Sequence, residues 1–137
     1  MSNNEIVKAL NDQLNREVST FLRYMLQAAS IKGAKYESVR EMYLEEVVDE
    51  VKHAQYLANQ IEMLGGTPEL KPDLSAPPRD VSEMLKNDAK EEKKDVQNYK
   101  HLAELAEDKD LLSLKMNMED QGAEEDEHGH EMQRLLG

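Results

Sequence analysis

The sequence predicts an all-α fold, a four-helix bundle built from two antiparallel helix hairpins that are joined by a long crossover. Aromatic residues make up only 4% of the 137 residues, and good helix formers are abundant. Apolar residues recur at steps of three and four along four segments. All four prolines lie in one stretch, residues 65–80. We expect one domain over residues 1–137, with helices at about 5–30, 38–64, 81–107 and 111–136.

The first predicted helix has an inward stripe with steps of three and four residues: Ile6, Leu10, Leu14, Glu17, Phe21, Tyr24 and Ala28. Packing alone would place a leucine where Glu17 stands. A slightly rotated helix would bring Val18 inward and leave Glu17 at the edge. The sequence of this helix leaves both orientations open.

The second predicted helix starts at a capping-box pattern, Ser38 with Glu41. Three ionisable residues lie in the middle of its inward stripe: Glu46, Glu50 and His53. Such groups are costly to bury without partners or a metal ion. Glu50 and His53 are three residues apart and therefore share a helix face. This spacing favours a metal-binding pair over an isolated core histidine.

The proline-containing linker, residues 65–80, is predicted to cross the whole bundle. Sixteen extended residues reach ~53 Å, whereas a 27-residue helix is ~40 Å long. A domain boundary here would leave neither side with a sufficient core. We therefore expect the second and third helices to run parallel.

The third predicted helix is capped by Asp80 with Glu83, and its inward stripe is Leu85, Asp88, Glu92, Val96, Tyr99, Leu102 and Ala106. Glu91 and Glu92 compete for the core, and the periodicity favours Glu92. The rest of the run at residues 90–95 is expected to face mostly solvent. Tyr99 follows Glu92 by seven residues, as Tyr24 follows Glu17.

The fourth predicted helix contains two Glu-x-x-His pairs, Glu125 with His128 and Glu127 with His130. Because 29 of the 137 residues are acidic, one accidental match is unsurprising. The Glu125 stripe is apolar on both sides of its pair, with Met118 before it and Met132 after it. The Glu127 stripe is more polar, so we assign Glu125 and His128 to the core and leave His130 at the surface.

Composition excludes several classes of protein. A net charge of −12 and the lack of a basic stripe argue against nucleic-acid binding. The absence of cysteine excludes disulfides and thiolate metal sites. No apolar run approaches the ~20 residues of a membrane span, and residues 1–5 show no signal-peptide pattern. We expect a cytoplasmic protein without a membrane partner.

The candidate metal ligands form one set: Glu17, Glu50, His53, Glu92, Glu125 and His128. Four carboxylates are neutralised by two divalent ions. Oxygen ligands with one imidazole per ion suit Fe(II) or Mn(II), and Zn(II) is a possible substitute. Tyr24 would lie beside the pair, as a support for a ligand carboxylate, as a one-electron donor, or simply as a core tyrosine.

This pattern resembles the ferritin-like di-iron carboxylate family, and bacterioferritins most closely. The similar segments are residues 14–17 with 24–28, 50–54 with 64–68, 83–88 with Glu92, and 125–128. The resemblance implies a ferritin-like bundle with a ferroxidase centre that uses O2 or H2O2, possibly feeding an iron store. In such a centre Glu50 and Glu125 bridge two irons, Glu17 and Glu92 are terminal ligands, and each iron has one histidine.

Two departures limit the resemblance. Bacterioferritins bind haem through a methionine directly after the metal-binding glutamate of the second helix, and this chain has Val51 there, after Glu50, so haem is not predicted. The chain stops at Gly137, soon after Leu135 and Leu136, so the short fifth helix of 24-subunit cages is not predicted. A homo-oligomer is expected, either a smaller cage or a dimer. The alternatives are a rubrerythrin-like peroxide reductase without mineral storage and a non-catalytic metal-binding helical bundle.

Overall fold

The computed structural model describes residues 3–137, and four long helices account for most of them. They are α1 (Asn4–Ser30), α2 (Glu37–Met63), α3 (Val81–Asp108) and α4 (Leu112–Leu136), with a short 3-10 turn at Ala34–Tyr36. This part of the chain contains no β-strand, so the all-α four-helix prediction is confirmed. None of the four helices is both long and apolar enough to cross a membrane. Met1 and Ser2, which begin the segment searched for a signal peptide, lie outside the described residues.

The helices form two hairpins, α1 with α2 and α3 with α4, which make fewer contacts with each other than within themselves. Arg23 of α1 contacts Asp88 of α3, and Arg16 contacts Asp95. Along these contacts the residue number rises in α3 as it falls in α1, so the two helices are antiparallel. The second and third helices therefore run in the same direction, as the crossover prediction requires.

The crossover linker is attached to α1 by a ladder of hydrogen bonds. Alternate linker residues present their backbone groups to every fourth side chain of α1: Asn11 pairs with Thr67 and Glu69, Asn15 with Glu69 and Lys71, and Ser19 with Asp73. Four helical residues rise ~6 Å, and two extended residues span nearly the same distance. The matching periods keep the linker in register along α1.

We expect Asn15→Ala to reduce the free energy of unfolding by about 1 kcal/mol. The side chain donates to Glu69 O at 2.8 Å and accepts from Lys71 N. Both backbone groups are solvent-accessible, so water can partly replace the lost bonds. Urea denaturation measures the effect. The control is Asn117→Ala, whose side chain donates a hydrogen bond to Ser113 O, one turn earlier, and has no other hydrogen bond within residues 3–137. Equal losses in the two variants would contradict a specific role for the ladder.

The two predicted helix caps have different outcomes. Asp80 accepts a hydrogen bond from Glu83 N at 3.0 Å, as the capping prediction for α3 states. The capping box at Ser38 is wrong, because α2 already begins at Glu37 and its N-cap residue, Tyr36, makes no side-chain capping bond. The 3-10 turn runs directly into the helix, so Ser38 lies within the first helical turn.

The core consists of two apolar clusters. One contains Ile6, Leu10, Leu57, Ile61, Leu102 and Met118 among others, and the second contains Tyr24, Val39, Tyr43, Met84, Leu85 and Met132. On α1 the first cluster ends at Leu14 and the second begins at Tyr24. The buried residues between these two positions are polar. The interruption marks the level at which ionisable side chains enter the bundle.

Candidate metal centre

A layer of ionisable side chains occupies the gap between the apolar clusters. Each helix contributes: Glu17 from α1, Glu50 and His53 from α2, Glu92 from α3, and Glu125 and His128 from α4. All are buried except His128, whose side chain is 14% exposed. These are the six residues selected from the sequence, and the structure brings them together. Glu127 and His130, the competing pair, are exposed.

The six residues form two overlapping groups. One group contains Glu17, Glu50, His53 and Glu125, and the other contains Glu50, Glu92, Glu125 and His128. Within each group, one potential ligand atom from every residue lies within 4.8 Å of the others. Glu50 and Glu125 belong to both groups and therefore lie between two neighbouring positions for a cation.

Every one of the six residues has a buried polar atom without a hydrogen-bond partner among the described residues. The atoms are Glu17 Oε2, both carboxylate oxygens of Glu50 and of Glu125, His53 Nδ1, Glu92 Oε2 and His128 Nδ1. Buried polar atoms normally have a hydrogen-bond partner, because burial removes their hydration and only a new hydrogen bond compensates for that loss. Here oxygen and imidazole donors face the same small space. A pair of divalent cations would satisfy these donors.

Both histidines turn Nδ1 toward the cluster and Nε2 away from it. His53 Nε2 lies 2.6 Å from Glu124 Oε2, and His128 Nε2 lies 3.5 Å from Asp49 Oδ2. A carboxylate on the outer nitrogen holds the proton there and leaves the inner lone pair free for a metal ion. Neither carboxylate was predicted from the sequence to take part in the site. Each directly precedes a cluster glutamate, and that repetition was the available signal.

Two tyrosines donate hydrogen bonds to the outer oxygens of the cluster. Tyr24 Oη donates to Glu92 Oε1 at 2.6 Å, and Tyr99 Oη donates to Glu17 Oε1 at 2.9 Å. Both side chains are fully buried, and each bond crosses from one hairpin to the other. The contact of Tyr24 fits the expectation that it supports a ligand carboxylate, and Tyr99 plays the equivalent part on the other side.

The metal-free cluster distributes its protons unevenly. Burial disfavours the charged form of Glu50, but His128 and His53 outweigh it and lower the pKa of Glu50 to about 2. Burial and the charge of Glu50 raise the pKa of Glu92 to about 8 and that of Glu125 well above its usual value. Without a cation, the four acids therefore cannot all be ionised near neutral pH.

The expectation that the run at residues 90–95 mostly faces solvent is wrong for Asp95, which is 1% exposed. Arg16 Nε donates to Asp95 Oδ1 at 2.6 Å, and Gln13 Nε2 donates to the same oxygen at 3.1 Å. Partners on α1 therefore turn this carboxylate inward. The neighbouring Val96, which was assigned to the core, is only partly buried.

The sequence of the chain is similar to those of known proteins. A model of the family Ferritin, described as a ferritin-like domain, matches residues 7–137. The chain is 30% identical over 118 residues to a bacterial non-heme ferritin of Staphylococcus aureus strain USA300, covering 83% of this chain and 70% of the relative. It is 27% identical over 134 residues to a bacterial ferritin of Pseudomonas aeruginosa, covering 97% and 87%.

Solved structures of other proteins have the same fold. A ferritin-like, diiron-carboxylate protein from Bacillus anthracis strain Ames superposes with a TM-score of 0.94 at 33% identity, covering all of both chains. A bacterioferritin of Mycobacterium tuberculosis superposes with a TM-score of 0.88 at 21% identity, covering 99% of this chain and 87% of the other. The predicted ferritin-like fold is confirmed. Because the family model spans nearly the whole chain, this protein belongs to the ferritin family.

Proposed function

We propose that the protein is a di-iron ferroxidase, which oxidises Fe(II) with O2 or H2O2 for iron storage or detoxification. The observation that carries the proposal is the pair of overlapping ligand groups, whose inward atoms have no hydrogen-bond partner among the described residues. The family and the resemblance to a diiron-carboxylate protein support it.

The six residues divide naturally between two ions. Glu17 and His53 would hold one ion, Glu92 and His128 would hold the other, and Glu50 and Glu125 would bridge them. Four carboxylates balance the charge of two divalent cations, so all four acids can be ionised in a neutral site when both positions are filled. Carboxylates that switch between terminal and bridging modes tolerate the change from Fe(II) to Fe(III). Together two irons supply two electrons to an oxidant.

Tyr24 has two roles in this proposal. Its hydroxyl orients Glu92, the carboxylate to which it donates at 2.6 Å. The same hydrogen bond would let Tyr24 give one electron to the O2 or H2O2 that reacts at the cluster, while its hydroxyl proton passes to that carboxylate. Tyr24 is fully buried. Water is therefore excluded from its hydroxyl, and the electron and proton transfers would take place within the cluster.

The experiment uses the metal-free protein loaded with two Fe(II) per chain without oxygen and then mixed with O2 or H2O2. Stopped-flow absorbance of Fe(III) reports the initial rate. We expect Glu50→Ala and His128→Ala to slow oxidation by about 100-fold or more, because outer-shell partners alone change metal-site activity by ~10–100-fold. His130→Ala, in the exposed pair on α4, should retain the native rate. Native rates in both ligand variants would refute the proposal.

Storage and assembly belong to the same proposal. The relatives whose names include ferritin favour a homo-oligomer that holds oxidised iron. Electron microscopy after iron loading tests this part separately. A hollow shell with a dense core supports storage. Rapid peroxide reduction without any core would instead identify a rubrerythrin-like peroxide reductase.

A further inference from the structure

We propose that Tyr43 is a second electron donor: after Tyr24 has lost an electron to the oxidant, Tyr43 reduces it and passes its own hydroxyl proton to Asp88. This inference rests on the proposed function, because an oxidant that reacts at the cluster must first oxidise Tyr24. It goes beyond that function by assigning the unpaired electron a final position, Tyr43, which lies outside the ligand set.

The two tyrosines lie side by side in the core. Their ring centroids are 5.0 Å apart and the rings are tilted by 53°, a geometry that is common for aromatic side chains in direct contact. Both side chains are fully buried, and both belong to the second apolar cluster. Tyr24 also donates to Glu92, which belongs to one of the two ligand groups. An electron can therefore pass from Tyr43 to Tyr24 without crossing solvent.

Tyr43 has a proton acceptor of its own. Its hydroxyl donates to Asp88 Oδ2 at 2.7 Å, and Asp88 is 0% exposed. Arg23 Nε donates to Asp88 Oδ1 at 2.8 Å, and Gln27 Nε2 donates to Asp88 Oδ2 at 2.8 Å. These contacts fix the carboxylate with Oδ2 toward the tyrosine. Asp88 belongs to neither ligand group, so a proton on it does not compete with a bound cation.

The electron and the proton must leave Tyr43 together. Burial raises the pKa of Tyr43, and the negative charge of Asp88 raises it further. The hydroxyl therefore stays protonated near neutral pH. Burial also disfavours the positively charged tyrosine that would form if the electron left alone. Transfer of the proton along the existing hydrogen bond to Asp88 avoids both charged forms.

The position of the protons gives the transfer its direction. While Tyr24 is oxidised, its proton lies on Glu92, where it competes with a cation for the carboxylate. When one electron moves from Tyr43 to Tyr24, Tyr24 takes its proton back from Glu92, and the proton of Tyr43 passes to Asp88. One O–H bond breaks at Tyr43 and one forms at Tyr24. The products are a neutral radical at Tyr43, a protonated Asp88 and an ionised Glu92 that can again bind a cation.

The other tyrosine at the metal centre, Tyr99, does not have such a partner. The two hairpins repeat each other with an offset of 75 residues, at which Tyr24 corresponds to Tyr99. At the same offset Tyr43 corresponds to Met118, a buried core residue without a dissociable proton. The ring beside Tyr99 is that of His53, with centroids 6.2 Å apart. We therefore expect the radical on one side of the centre only.

The test locates the radical by electron paramagnetic resonance. Protein loaded with two Fe(II) per chain without oxygen is mixed with O2 or H2O2 and frozen after intervals of milliseconds to seconds. The absorbance of Fe(III) is followed in parallel. With 3,5-difluorotyrosine in place of Tyr43, fluorine hyperfine splitting marks a radical at this position, and we expect it in most of the signal. The same analogue in place of Tyr99 should give a radical without fluorine splitting.

Two variants remove the parts of the proposed step one at a time. Tyr43→Phe keeps the aromatic ring and removes the hydroxyl, and Asp88→Asn removes the proton acceptor. In both, the radical should remain on Tyr24, so that the fluorine splitting appears when the analogue replaces Tyr24. If Asp88→Asn fails to fold, Tyr43→Phe carries the test alone. The control is Tyr36→Phe, whose side chain packs against the same apolar cluster. It should retain the native signal and the native rate of Fe(III) formation.

The outcomes separate this inference from the proposed function. Fe(III) formation with a radical that shows no fluorine splitting from position 43 would overturn the inference. Fe(III) formation without any tyrosyl radical, or a native radical signal in Tyr43→Phe, would overturn it as well. A protein that forms no Fe(III) with either oxidant would refute the proposed function, and this inference with it.

Discussion

Mn(II) or Zn(II) at a free concentration of about 100 times its Kd should raise the thermal unfolding midpoint of the metal-free protein by about 15 °C. A ligand that binds only the folded state at 100 times its Kd contributes ~2.7 kcal/mol per site. Two sites therefore contribute ~5 kcal/mol, and each kcal/mol shifts the midpoint by ~3 °C in a domain of this size. The large effect follows from the unpaired inward atoms, which the ions would satisfy.

The variants for this prediction separate the cluster from its neighbours on the same helix. Glu125→Ala should abolish most of the metal-induced shift, because Glu125 belongs to both ligand groups. Glu127→Ala, two residues away and exposed, should keep it. Differential scanning calorimetry with and without metal measures the metal-induced shift of the unfolding midpoint for each variant. An equal shift in the two variants would mean that the ions bind outside the buried cluster.

Residues whose environment is set by their own helix were predictable. Periodicity selected Glu92 over Glu91, and the structure leaves Glu92 1% exposed while Glu91 pairs with Arg16 near the surface. The choice of Glu125 over Glu127 followed from the apolar residues on either side. Both decisions needed only the helical repeat and the preference of apolar side chains for the core.

Residues whose environment is set by another helix were not predictable. The sequence of α1 left two orientations open for Glu17, and its buried carboxylate accepts a hydrogen bond from Tyr99 of α3, which is 82 residues away. Asp95 was placed in solvent because nothing within α3 indicated Arg16 as its partner. The linker ladder depends in the same way on contacts between segments more than 50 residues apart.

The metal-free protein should become less stable as the pH rises from about 5 to 9. Burial raises the pKa of Glu92 to about 8 and that of Glu46 to about 9, despite the opposing effect of His128 on Glu46. Burial lowers the pKa of His53 and His128, but nearby carboxylates outweigh it and raise both. These groups hold protons in the folded state that the unfolded chain releases, so their stabilisation is lost through this pH range.

Glu50 has the opposite sign but acts in another range. Because its pKa is lowered to about 2, its contribution is present above the unfolded value near 4.5 and is lost only as the pH falls toward 2. It therefore does not offset the loss between pH 5 and 9. Metal binding displaces the protons of the raised groups, so the affinity for a divalent cation should increase with pH over the same range.

Urea denaturation at pH 5.5, 7 and 8.5 measures this dependence. We expect the free energy of unfolding of the metal-free protein to fall across the series, by about 1.4 kcal/mol per pH unit for each proton that only the folded state holds, and by much less when Mn(II) is bound. The double variant Glu46→Gln/Glu92→Gln replaces two titrating groups with neutral amides of the same shape and should flatten the slope. Glu127→Gln, which changes an exposed acid, should retain the native slope. Stability that rises with pH in the metal-free protein would contradict the proton distribution on which this expectation depends.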